Sequence, residues 1–249
     1  MTYCLAMRLD EGLLFLADTR TNAGVDNVST FRKLHVIRPS ADRCFVLQAA
    51  GSLATTQEVL DRIHRDLHGD PGSPTLATVG HLFEAALYVG RLGAAVADAH
   101  HERLEAVGAD ATCSFILGGQ IAGEAADLLQ IYPEGNYIRA SDDMPFLQIG
   151  ETKYGKLVLE LAVAAHVDLD QAVRVALSSM MSTARANVSV GPPYDLGLYR
   201  SGSYDVHERR IEADAPFLRA ASEAWERHLL AAVGELPRMD LGAPRFESG

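Results

Sequence analysis

The chain has 249 residues, 48% of them hydrophobic and 22% charged, and its 33 acidic and 22 basic side chains leave a formal net charge of −11. That composition suits a globular chain with a full core, and the acidic surplus argues against nucleic acid and anionic membrane surfaces, which need clustered Lys and Arg. No apolar run reaches the length of a membrane span and no charged-then-apolar leader opens the chain, so a cytoplasmic protein is expected.

In chain order, Tyr3, Leu5, Met7 and Leu9 alternate with Cys4, Ala6 and Arg8, the pattern of a half-buried strand. Asp10-Glu11-Gly12 is a turn, and Leu13 to Ala17 returns as a second strand that brings Asp18 near the level of Thr2. Thr19 to Thr30, rich in Asn, Gly, Asp and Ser, reads as a loop. Strands follow at Lys33 to Ile37 and Cys44 to Ala49. A helix is predicted from Thr55 or Thr56 to Gly69, and a long one from Thr75 to about Val107, opened by Ser73-Pro74.

Ala111 to Leu117 is strand, the "GGQIAGEA" stretch a turn, and Asp127 to Tyr132 strand again. Helices over Lys153 to Ala165 and Leu169 to Asn187 precede a hairpin of Asp195 to Arg200 with Tyr204 to Ile211. A last helix runs from Pro216 to about Val233. Strands in runs rather than strict alternation with helices indicate an α+β chain with antiparallel sheets. No linker divides it, so one domain over residues 1–236 with a tail over 237–249 is expected. Cys4, Cys44 and Cys113 lack metal-type spacing and read as reduced core thiols.

Three residues near the start combine into a chemical constellation. Removal of Met1, usual before a small residue, would give Thr2 a free α-amine, a base on the same residue as its hydroxyl. Asp18 ends an apolar strand and, alone, is an ordinary turn residue; Lys33 alone is an ordinary surface lysine. Together they offer a nucleophile, a cation that favours its alkoxide, and a carboxylate that orients the cation. Gly51, at a strand-to-helix turn, offers either turn geometry or a backbone N–H for an oxyanion. The pair His64 and His68, spaced four apart, reads as solvated helix surface, and no phosphate loop, nucleophile elbow or Cys-x-x-Cys word is present, so no cofactor or metal is expected.

The words "MTYCLAMRLDEGLLFLADTRTNAG", "TFRKLHVI", "LQAAGSLATTQEVL" and "SMMSTARANVSVGPPYDLGLY" resemble proteasome β-type subunits, and within them the ancestral-beta-subunit, or Anbu, proteins of bacteria. The resemblance implies a four-layer αββα sandwich of the N-terminal-nucleophile hydrolases. It places the catalytic roles on Thr2, Asp18, Lys33, Gly51 and Ser189, and the substrate channel at Asn22, Ala23 and Leu53. It also implies self-assembly into a ring or open helical ring, for which the long helix with Leu87 and Val96 offers apolar faces. Two departures stand out. Glu151 in "IGETKYGK" replaces an accessory serine, and Ala186 in "ARANVSVG" replaces the aspartate that precedes Ser189.

The implied activity is threonine peptidase, acting on a peptide or amide through an acyl-enzyme. A scaffold or peptide-binding ring with a vestigial triad, or an amidase of small amides, are the other readings.

Overall fold

The computed structural model describes residues 1–22, 28–69, 74–163 and 166–239. The opening alternation forms β1 (Tyr3–Leu9), and the apolar run after the turn forms β2 (Gly12–Asp18). Every residue of β2 is buried and only Arg8 of β1 is partly exposed, so these strands are covered on both faces rather than one. The expected loop contains a small ribbon of β3 (Arg20–Asn22) and β4 (Val28–Thr30); residues 23–27 lie outside the described set. Then come β5 (Leu34–Ser40) and β6 (Arg43–Gly51).

Helix α1 (Leu53–His68) starts earlier than predicted because the Ser52 hydroxyl caps it, accepting from the Thr55 N–H at 3.4 Å. Helix α2 (Leu82–Glu105) starts later. Thr75 closes a separate turn onto Thr78 and Val79, and the Glu84 carboxylate accepts the His81 N–H that opens the helix. Ser73 lies outside the described residues.

β7 (Cys113–Ile121) runs through Gly118-Gly119, which the sequence presents as a turn. A Cβ on Gly118 would collide with Leu128 and Phe15, so the glycine lets the two sheets approach. β8 (Asp127–Ile131) was expected; β9 (Tyr137–Arg139) and β10 (Phe146–Gly150) were not, being short and flanked by turn residues. Helices α3 (Lys153–Ala162) and α4 (Leu169–Ala186) precede the hairpin of β11 (Tyr194–Arg200) and β12 (Val206–Ile211). Helix α5 (Pro216–Gly234) carries proline in its first turn, where a missing N–H costs nothing.

Met1–Ala213 form one compact unit and Asp214–Gly249 a second, to which α5 belongs. Within the first unit, one antiparallel sheet has the order β10-β1-β2-β11-β12 and the other β5-β6-β7-β8-β9. Cys4, Ala6, Leu13, Phe15 and Ala17 of the first sheet meet Leu34, Val46, Ala50, Ile116 and Leu128 of the second. Helices α1 and α2 cover the second sheet's outer face through Val59, Ile63, Ala85, Val89 and Val96; α4 packs on β1 and β2, with α3 beside it. The unit is therefore an αββα sandwich of the α+β class. Val96, expected on an assembly face, is fully buried in this chain's own core. All three cysteines are free and buried.

Candidate active site

Alternation along β1 decides where Thr2 sits. Cys4 and Ala6 face the other sheet, so Thr2 falls on the same side, at the open end of the inter-sheet layer. Tyr3 points the opposite way, toward the helices, where its hydroxyl lies 2.7 Å from the Ser179 hydroxyl of α4 and accepts from the Gln148 amide of β10. Ser179 in turn donates to the Gly155 carbonyl of α3 at 3.0 Å. Burial pushes the Tyr3 phenol up to about 12, so it stays a neutral hydrogen-bonding group.

The backbone around Thr2 is held on both sides. Its carbonyl accepts the Glu151 N–H at 2.7 Å, which extends the β1–β10 ladder by one residue. Gly150, at φ +86°, makes that approach possible, since a Cβ there would collide with the Thr2 carbonyl. On the other side the Tyr3 N–H donates to Asp18 Oδ1 at 2.9 Å.

Asp18, fully buried at the end of β2, also accepts from Lys33 Nζ at 2.7 Å and from the Gly191 N–H at 3.4 Å. Burial raises its carboxyl pKa, against the pull of the Lys33 charge and the two backbone donors. Lys33 is buried just before β5, and its ammonium donates a second bond, at 2.6 Å, to the Arg20 carbonyl. Among the described residues these are its two acceptors, so two of the three ammonium N–H bonds are accounted for.

Gly51 closes β6 with φ +110° and is exposed, unlike the buried run Cys44–Ala50 before it. The Ala49 N–H donates to the Lys33 carbonyl and the Ser52 N–H to the Thr112 carbonyl, in opposite directions. Strand alternation therefore aims the Gly51 N–H to the Ala49 side, past Lys33, where β5 has not yet begun.

The remaining expected residues lie as follows. Glu151 is buried at the start of the β10–α3 turn, and its carboxylate accepts from the Asn187 side-chain amide at 2.9 Å. The Ser189 N–H donates to the other end of that amide, at 2.9 Å. Leu53 opens α1 half-buried, Asn22 ends β3, and Ala23 lies outside the described residues. His64 and His68 are exposed on α1, and among the described residues no group of three or more His, Cys, Asp and Glu is placed to hold a metal.

Sequence reading missed Asn187, Gly191, Gly150 and the Tyr3 hydroxyl network. Asn187 sits one residue past Ala186, and its backbone N–H closes α4 onto the Thr183 carbonyl; a polar residue at a helix end was its only signal. The turn that holds Gly191 is strapped to the β2–β3 junction by Arg20, which donates to the Val188 carbonyl at 2.8 Å, and by Thr19, bonded twice to the Pro193 carbonyl.

This arrangement sits in a fold already known from solved structures. Anbu (ancestral beta-subunit) from Yersinia bercovieri is 42% identical, covers 96% of this chain and all of its own, and superposes with a TM-score of 0.87. The chain belongs to the Anbu family. Anbu from Hyphomicrobium sp. strain MC1 is 43% identical over 96% of the chain with the same TM-score. The Anbu complex of Pseudomonas aeruginosa, solved as a helical assembly, is 38% identical over 96% of this chain and 98% of its own, again at 0.87. No protein-family model and no curated protein matches the chain. Across so complete an overlap, the Anbu fold of this chain extends to both of its sheets. Among the described residues, no helix is long and apolar enough to cross a membrane.

Proposed function

We propose that this chain is a proteasome-like threonine peptidase subunit whose nucleophile is Thr2 once Met1 is released. The observation that carries the reading is the buried Lys33–Asp18 pair at 2.7 Å, tied by the Tyr3 N–H to the residue that follows Thr2. A buried ion pair is a poor source of stability compared with apolar packing, so its presence at this edge favours a chemical use.

In the proposed reaction Thr2 Oγ bonds to the carbonyl carbon of a peptide or amide, and its proton passes to the α-amine directly or through water. Lys33 stabilises the developing alkoxide, Asp18 keeps Lys33 charged and oriented, and the Gly51 N–H meets the oxyanion. Collapse breaks the C–N bond, with the α-ammonium returning a proton to the leaving amine. Water then hydrolyses the ester. In this reading Ser189 and Glu151 are accessory groups, and Leu53, at the start of α1, is assigned to the substrate route together with the expected Asn22 and Ala23.

We also place the subunit in a cytoplasmic homo-oligomer, a ring or open helical ring. Tyr154, Leu157 and Leu161 support this: they form an apolar row on α3 that is 46%, 63% and 79% exposed in the single chain. Introducing Leu161→Glu is expected to lower the sedimentation coefficient, and an unmodified chain that sediments as a monomer would sink the assembly.

The test of the chemistry is the intact mass, first alone and then with an electrophile that captures the hydroxyl and amine of one residue together. Loss of one methionine and a single adduct, abolished in Thr2→Ala, is expected. A retained Met1 or no adduct turns the reading to a non-catalytic peptide-binding ring.

A further inference from the structure

The two turns that flank Thr2 meet at a side chain with no part in the chemistry above. Asn187 ends α4 and uses every polar group it has. Its backbone N–H donates to Thr183 and its carbonyl accepts from Val190; the side chain gives Nδ2 to Glu151 and takes the Ser189 N–H on Oδ1. From Glu151 the chain of bonds continues to the Thr2 carbonyl, and from the Ser189 turn it continues through Gly191 to Asp18 and back to the Tyr3 N–H. One amide therefore locks the β10–α3 turn to the α4–β11 turn, with Thr2 between them.

The charge balance of this ring is incomplete. Glu151 is 7% exposed, and among the described residues no cationic side chain comes within ion-pair distance of it. A buried carboxylate held only by a neutral amide is costly unless a cation completes it. Lys33 is committed to Asp18 and the Arg20 carbonyl; the Arg20 guanidinium lies against Gly191; and Lys153, two residues on from Glu151, is exposed on α3. Tyr3, Cys4 and Tyr194 are titratable groups of the same region, all held neutral by burial. Arg185, in the last turn of α4, is not a free cation, and release of Met1 would add one further cation, the α-ammonium of Thr2.

We propose that Asn187 is a positioning residue that fixes the Glu151 carboxylate beside Thr2 as the counter-charge of its α-ammonium, and so sets the pH at which that amine becomes a base. The inference rests on the reading of Thr2 as a free N-terminal residue. Glu151 and Asn187 act as a pair, in which the carboxylate supplies the charge and the amide prevents it from turning out to solvent.

Periodate cleaves an N-terminal 1,2-amino alcohol only when the amine is unprotonated, so its rate against pH titrates the Thr2 amine without requiring peptidase turnover. In the full chain, Glu151→Gln is expected to lower the midpoint by roughly one pH unit, the size of a single close opposite charge. Asn187→Ala should move it the same way by a smaller amount, and Asn187→Ser replaces it if the alanine variant does not fold. Variants that fold but titrate with the unmodified chain overturn the inference and leave the nucleophile standing. An unmodified chain that periodate does not cleave at any pH overturns both.

Discussion

Lys33 Nζ lies 2.7 Å from Asp18 Oδ1, and that one bond joins the two sheets at the edge where Thr2 emerges. Asp18 ends a strand of the first sheet and Lys33 leads into a strand of the second. Neither side chain is appreciably exposed, at 0% and 6%. Replacing Lys33 with Met strands a buried carboxylate, and a loss of about 3–5 kcal/mol is expected in urea unfolding. Adding Asp18→Asn to the same chain should recover most of it. A lysine deletion that leaves the unfolding midpoint unchanged would mean the pair is solvated in solution.

Gly51 is constrained on two counts. Its φ of +110° suits glycine, and a Cβ would press on the Thr112 carbonyl and on Cys113 Cα at 2.8 Å. Gly51→Ala is therefore expected to destabilise by about 1–3 kcal/mol and to shift the peptide that carries the proposed oxyanion donor. Adduct formation at Thr2 should slow by at least about tenfold, more than the loss of folded protein accounts for. Equal stability and equal labelling would argue against both roles.

The Tyr3 hydroxyl is the point where β1, β10 and α4 meet. Tyr3→Phe leaves Ser179 and Gln148 short of a buried partner, and a cost of about 1–2 kcal/mol is expected. Because Thr2 precedes it directly, faster amide exchange at Tyr3 and Glu151 should accompany the loss. Unchanged exchange would confine the network to α4.

His35 gives the chain an acid-sensitive element away from the site. Burial first, then the Arg32 guanidinium, lower its imidazole from 6.5 to about 4. The folded state thus keeps it neutral where the unfolded state already takes up a proton. Stability from this residue is complete above pH 6.5 and is lost as pH falls toward 4, by at most about 3 kcal/mol. Comparing urea midpoints at pH 7 and pH 5 for the native chain and His35→Gln measures it; the variant should show the shallower fall.

Local pattern along the chain was enough for the paired strands β1 and β2, the helices and the α+β class, because periodicity and turn residues report on a segment's own surroundings. Thr2, Asp18 and Lys33 each read as ordinary by local pattern, and it was the resemblance to proteasome β-type subunits that singled them out together. Gly118 looked like a turn residue because its actual constraint, the approach of Phe15 and Leu128, comes from strands far away in the chain. β10 escaped for a related reason: its five residues carry little periodicity, and pairing with β1 gives them their place.

Glu151 was visible as a substitution, but Asn187, which holds it, was not. Their contact spans 36 residues and depends on where α4 ends. Hydrogen-bond partners at that separation are chosen by packing of α3 and α4 on the first sheet, and no local pattern in the sequence encodes them.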